Sequence, residues 1–345
     1  MLEQLTDGLR NETHLATDQV DDAVTALIDE SVSVEAKADF LQALAQKGET
    51  IDEITGFARR LRDHATQPPL DEATRKGEIL DVCGTGGDGA GTFNISTTVG
   101  IVAASDGVRV AKHGNRAITS KSGSADVLAL LGIPVDLTPE EAAARLRDVG
   151  FAFFFAIHYH PAFKHIGPAR KLCAERGTRT IFNFLGPLLN PARPTAQLLG
   201  VARPELCAPI GKALQELGIR RGMVVCGSVG EKNLDELSPI GPNQIAEFYH
   251  DRGFSTGELD PKDYGAGPGT LEDLQGGTPE QNAALIENLL KGEVGGSKRD
   301  AVLLNTAAAL LVADRVPSLT EGWDRAAALI DSGTAHKKLE ELRQS

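Results

Sequence analysis

Gly84-Thr85-Gly86-Gly87-Asp88-Gly89, with Asn94, Ser96 and Thr97 after it, is the stretch where residue type and spacing most plainly promise chemistry. An apolar run of strand type, Ile79 to Cys83, leads into it, and its glycines let the chain turn sharply and bring amides against a ligand. Asn94, Ser96 and Thr97 stand where Ile95, Val99 and Val102 begin a helical spacing, so free amides and a positive dipole end face the same point. That is chemistry for an anion. A second strand, Val108 to Ala111, delivers Lys112-His113-Gly114-Asn115-Arg116. A third loop, Ser120-Lys121-Ser122-Gly123-Ser124, opens a helix over Ala125 to Leu131 that Gly132 closes. Three successive β-to-α junctions aim hydroxyls, amides and cations at one sheet edge, which exceeds what one phosphate needs and suits two.

Two commoner glycine loops are excluded by the residues downstream. The spacing fits G-x-G-x-x-G, but a dinucleotide site wants an acid at the end of the second strand, and Lys112 and His113 stand there. A P-loop ends in Gly-Lys-Ser/Thr, whereas Gly91 is succeeded by Thr92. Further along, Asp235-Glu236 on a loop after a strand suits a hard cation shared with substrate phosphates, or a merely solvated loop. Arg170 reads either as a surface cation covering apolar neighbours or as a planar donor for a carboxylate. His113, His158, His160 and His165 are dense but lack cysteine or carboxylate partners at zinc spacing. Cys83, Cys173, Cys207 and Cys226 are scattered and read as reduced, buried thiols.

GTGGDG, NIST, KHGNR and KSGSAD, in this order and spacing, resemble the anthranilate phosphoribosyltransferases of tryptophan biosynthesis, and the likeness runs along essentially the whole chain. The resemblance implies a small helical domain beside a large α/β domain with a mostly parallel sheet, of the nucleoside phosphorylase and phosphoribosyltransferase type. It implies that Gly84, Gly87, Asp88, Thr92, Asn94, Ile95, Ser96 and Thr97 hold phosphoribosyl diphosphate, with Lys112, His113, Gly114, Asn115, Arg116, Ser120 and Ser124 completing the grip. Mg²⁺ would be held by Ser96, Asp235 and Glu236, and anthranilate by Gly84, Asn115, His160, Phe163 and Arg170. Asn233 replaces a glycine common before the acidic pair, and Phe163 a tyrosine of some relatives. No residue is singled out as a general base. A homodimer through the helical part is also implied. A nucleoside phosphorylase, a transferase with another aromatic acceptor, and a non-catalytic nucleic-acid-binding relative are the alternatives.

Periodicity gives the elements that must position these residues. Residues 1–67 read as amphipathic helices, with a capping box at Thr50-Ile51-Asp52-Glu53, too short to bury themselves unaided. Gln67-Pro68-Pro69 links them to an α/β domain over 75–345, and helices from about 163–192 are expected to join the small domain. Phe151 to Ile157 reads as a buried strand, residues 182–191 as a rigid connector, and Leu198 to Val201 and Met223 to Cys226 as further strands. The glycine- and proline-rich region 251–280 is expected to wrap the surface, and helices to fill the remainder from Asn282. With 345 residues, 41% hydrophobic, the chain has ample material for a core. A net charge of −13 argues against nucleic acid or an anionic membrane as partner and leaves a small anionic ligand in a local basic pocket. The run Ala301 to Ala313 is too short to span a membrane, and the first residues carry Glu3 and Asp7 rather than an apolar leader, so a cytoplasmic location is expected.

Overall fold

A computed structural model describes residues 1–116, 122–250 and 253–345. Ser120 and Lys121 therefore lie outside the described residues. The chain begins with four helices: α1 (Leu2–Arg10), α2 (Thr17–Ile28), α3 (Val34–Lys47) and α4 (Ile51–Asp63). The capping box at the start of α4 forms as its sequence dictates: Thr50 Oγ1 accepts from the Glu53 amide, and the Glu53 carboxylate accepts from the Thr50 amide. That carboxylate is fully buried and also takes the Leu15 amide and Lys47 Nζ, so one acid ties α3 and α4 to the loop that leads into α2.

Eight strands form one sheet in the order β3-β2-β1-β4-β5-β7-β8, with β6 on the far end of β5. They are β1 (Ile79–Gly84), β2 (Arg109–Gly114), β3 (Phe151–Phe155), β4 (Ala196–Gly200), β5 (Arg221–Val229), β6 (Lys232–Leu234), β7 (Asn243–Tyr249) and β8 (Gly253–Leu259). The first five pair in parallel and the last three join antiparallel. The strand order reverses between β1 and β4, which is where a twisted parallel sheet opens a crevice at its carboxyl ends.

Alternation along the strands sorts side chains into two large cores and a smaller third cluster around Ile79, Ala111 and Phe154. Leu80, Val82, Met223 and Val225 face α5 (Ile95–Ser105), α6 (Ser124–Leu130) and the long buried helix α8 (Gly296–Val312). Cys83, Leu199, Val224 and Cys226 face the other way, into a core shared with α1–α4, α7 (Phe163–Glu175) and the connector Ile181–Leu189. α7 runs through Pro168 as one helix.

Two expectations are corrected. Ala156 and Ile157 belong to a short helix, Ala156–Tyr159, because a buried apolar run of this length carries the same pattern as a strand. Residues 253–259 form the edge strand β8 rather than a surface wrap; its outer positions are exposed and polar, so no apolar alternation betrays it.

Candidate functional site

The carboxyl ends of β1 and β2, the loops that follow them and the pair Asp235-Glu236 enclose a groove of about 360 Å³. The glycine loop after β1 forms one wall, and Gly86, Gly87, Gly89 and Gly91 all take positive φ, which a side chain would strain. At residues 91–93 the loop pairs with a segment outside the sheet, where Gly91 O accepts from the Gly276 amide and the Phe93 amide donates to Leu274 O. α5 then starts at the groove floor with Asn94 as its cap residue. The Asn94 side chain is not spent on its own helix: Oδ1 accepts from Ser122 Oγ and Asn282 Nδ2, and Nδ2 donates to Ser122 O. It fixes the third loop to the first. Arg116 braces the same loops by donating to Asp126, the acid that caps the start of α6.

Lys112 lies at the bottom, 2% exposed, with Nζ donating to Val82 O at 2.7 Å and to Ser96 Oγ at 3.1 Å. Burial holds its ammonium below the usual lysine range, opposed by the nearby Asp81 and Glu236. Asp81, fully buried within β1, accepts from Asn190 Nδ2 at 2.9 Å; burial nevertheless raises its carboxyl to about 6.

Opposite Lys112, the segment Asp235–Ser238 runs across the sheet edge over three glycines. A Cβ on Gly84 would strike the Asp235 carboxylate, one on Gly200 the Asp235 backbone, and one on Gly227 the Ser238 amide. Each glycine ends or lies within a strand, so absent side chains are what let the acidic pair lie flat on the strand ends. The segment is clamped from behind: the Leu237 amide donates to Asn305 Oδ1, and Asn305 Nδ2 donates to Leu237 O, from within α8. Asp235 Oδ2 accepts from the Gly86 amide at 2.5 Å, and Glu236 Oε1 from the Ser96 amide at 3.2 Å. Burial first, then mutual repulsion with Asp88, holds the Asp235 carboxyl well above the carboxylate range; burial and Asp235 do the same to Glu236. Among the described residues, Asp88 Oδ2 and Thr97 Oγ1 are buried without a hydrogen-bond partner. Three carboxylates crowded together, with spare oxygens and hydroxyls beside them, fit a hard divalent cation.

The acceptor candidates continue from this groove as a chain of ring contacts. His113 Nε2 and His160 Nε2 lie 3.2 Å apart; His160 stacks on Phe163 at 5.1 Å; Phe163 meets Phe182 edge-on; and the Arg170 guanidinium sits 5.4 Å over the Phe182 ring. Burial lowers Arg170, and among the described residues it forms no ion pair. His160 is pushed down to about 4 by burial, with Leu189 O acting in the opposite direction, and His113 goes well below its ordinary value by burial and by its neighbour His160. Asn115 and Gly84 lie where the two regions join, lining the groove.

Gly84, Gly87, Asp88, Thr92, Asn94, Ile95, Ser96, Thr97, Lys112 to Arg116, Ser124, Asp235 and Glu236 thus line one groove, while His160, Phe163 and Arg170 form the adjoining aromatic wall. Gly200, Gly227, Asn282, Asn190 and Asn305 are not marked by the sequence: nothing local distinguishes a residue whose partner lies up to 188 positions away. Another group able to offer metal ligands, Glu287, His336 and Glu340, is already tied to Arg343 and Lys291.

Family models describe the two parts of the chain separately. Residues 1–65 match the helical bundle domain of a glycosyl transferase family, and residues 76–336 match its a/b domain. A curated anthranilate phosphoribosyltransferase from Petrotoga mobilis is 46% identical, the match covering 95% of this chain and 92% of the relative. The crystal structure of the Thermus thermophilus anthranilate phosphoribosyltransferase superposes with a TM-score of 0.88 at 41% identity, covering 99% of this chain and 98% of that one. The Saccharomyces cerevisiae enzyme in complex with PRPP and Mg superposes at 0.87 with 29% identity, covering 99% and 97%.

Proposed function

The chain belongs to the anthranilate phosphoribosyltransferases, and from that premise we infer how its own residues divide the work. It is a pentosyltransferase of tryptophan biosynthesis that moves the phosphoribosyl group of 5-phosphoribosyl 1-diphosphate onto the amine of anthranilate. The C–N bond forms as the anomeric C–O bond breaks; pyrophosphate departs and the amine gives up one proton. Because the transition state is cation-like, positioning and charge neutralisation do most of the catalysis.

In this reading the glycine loop, Asn94, Ser96, Thr97, Lys112 and Ser124 cradle the donor's phosphates, and two of the Lys112 N–H bonds are already spent on Val82 and Ser96, fixing the direction of the third. Ser96, Asp235 and Glu236, with Asp88 beside them, would hold Mg²⁺, which when bound offsets charge on the departing pyrophosphate. Arg170 would take the acceptor's carboxylate, its guanidinium steadied by the Phe182 ring, while His160 and Phe163 flank the acceptor ring and Asn115 meets it near the anomeric centre. No side chain is assigned as a general base. The observation that carries the reading is the acidic segment laid over Gly84, Gly200 and Gly227 within the anion groove, since phosphorolysis with inorganic phosphate has no use for it. We also infer a homodimer through the helical part, on the family resemblance, to be checked by sedimentation. A cytoplasmic location is inferred from the same biosynthetic role. No described helix is long and apolar enough to cross a membrane.

The test is the decay of anthranilate fluorescence with enzyme, donor and Mg²⁺ together. Decay that needs all three and stops with EDTA is expected; decay indifferent to EDTA would remove Mg²⁺ from the scheme, and none at all would remove the acceptor.

A further inference from the structure

A second cavity of about 360 Å³, the size of a small-molecule site, is lined by Arg179, Thr180, Asn183 and Phe184 but by neither Arg170 nor Phe182. Among the described residues, no individually named donor or acceptor candidate lines it, while Thr85 of the glycine loop borders both this cavity and the groove. Its charges are of both signs: Arg203 is near enough to Glu49 to favour its charged form, but among the described residues the lining arginines make no close ion pair with Glu49. Glu49, at the turn between α3 and α4, forms no ion pair with any described residue, and burial raises its carboxyl. Among the described residues Arg203 pairs with Glu205 alone, at 3.7 Å, and Arg179 has no acidic partner. Between these groups Phe184 and Leu206 supply an apolar wall. A pocket that sets the Arg179 guanidinium, an Arg203 tied only loosely to Glu205 and the Glu49 carboxylate around an apolar surface matches a ligand with a carboxylate, an ammonium and an apolar body.

The same cavity touches the machinery of the donor groove. Thr85, within the glycine loop, lines it, and Arg179 packs against Gly87 so closely that a Cβ there would lie 2.7 Å from its Nη2. Glu49 belongs to the helical part. An occupant would bridge that part, the connector and the back of the glycine loop at once.

We propose that this cavity binds a free α-amino acid with an apolar side chain, its carboxylate on Arg179 and Arg203 and its ammonium on Glu49, and that occupancy changes the donor KM through Thr85 and Arg179. The inference does not depend on which residues hold anthranilate.

Calorimetry on the full chain with L-phenylalanine, L-leucine and L-tryptophan tests it, with 3-phenylpropionate and phenethylamine as analogues lacking one charge. Saturable one-to-one binding of at least one amino acid is expected, weakened about tenfold or more when either charge is absent or in Glu49→Gln and Arg203→Met, the usual scale for a lost charge-assisted contact. Neither substitution touches the donor or acceptor candidates, so activity without amino acid should match that of the unaltered chain, which also reports correct folding. At saturation the donor KM should shift about fivefold or more, the lower range of coupling between two sites. No binding by any of the three, binding indifferent to both substitutions, or displacement by anthranilate would overturn the site. Binding with an unchanged donor KM would overturn its link to the glycine loop.

Discussion

At the scale of single residues, Arg170 and Phe182 divide one task. The guanidinium is half-buried, rests on an aromatic face, and has no acid of its own among the described residues, so a substrate carboxylate is the partner it lacks. Arg170→Ala should therefore lower kcat/KM for anthranilate by about 2–3 kcal/mol, roughly 30- to 150-fold, with little change in donor affinity. Steady-state kinetics with each substrate varied in turn will separate the two; equal losses would move Arg170 out of the acceptor site. The His113–His160 pair makes a prediction of a different kind. An unfolded histidine takes up a proton near pH 6.5, but His160 in the folded chain does so only at about 4. Acid thus favours the unfolded state across that interval. The stability this neutral imidazole contributes is complete above pH 6.5 and lost as pH falls toward 4, by roughly 3 kcal/mol. His160→Gln should flatten the acid side of the stability curve, measured as the difference in denaturant midpoint between the two chains from pH 7 to 4; parallel curves would place the proton elsewhere.

At the scale of elements, the glycines at strand ends decide whether the site exists. Gly200 has no room for a methyl group, because the backbone of Asp235 occupies the space. Gly200→Ala should destabilise the chain by about 1–3 kcal/mol, as overpacking does, and raise the Mg²⁺ concentration needed for half-maximal activity, since any relief must lift the acidic segment. Thermal denaturation and an activity titration with Mg²⁺ check the two halves; an unaffected Mg²⁺ requirement would detach the segment from the metal. This is also where the sequence stops being readable. The three β-to-α junctions are legible because their signals are local: apolar run, glycine turn, cap residue, helical spacing. The acidic pair is ambiguous by composition and acquires a role only through the family resemblance, because what distinguishes it is a crossing over β1, β4 and β5 that no spacing encodes. β7 and β8 are hidden for a physical reason too: an edge hairpin with one solvated face needs few apolar residues.

At the scale of the whole molecule, the sheet separates two cores, and the groove lies where both are anchored. One core carries α5, α6 and α8 behind the phosphate-facing loops; the other joins the sheet to α1–α4 and the connector beside the acceptor wall. The strand order reverses next to β1, and the glycine loop leaves that strand at Gly84, which is registered against Gly200 of β4. Its tip, in contrast, is held by little: the Gly86 amide reaches the Asp235 carboxylate, and the Ala90 amide reaches Asp88. The acidic segment has the opposite character, with both backbone groups of Leu237 locked to Asn305 in a fully buried stretch of helix. That asymmetry sets separate clocks for deuterium uptake. The Leu237 amide should exchange only on global unfolding, while Gly86 exchanges at the rate of small local openings and slows when donor and Mg²⁺ are added. Were the two to exchange alike, the carboxylates would travel with the loop; if they differ, the glycine loop opens and shuts against ligands that stay still.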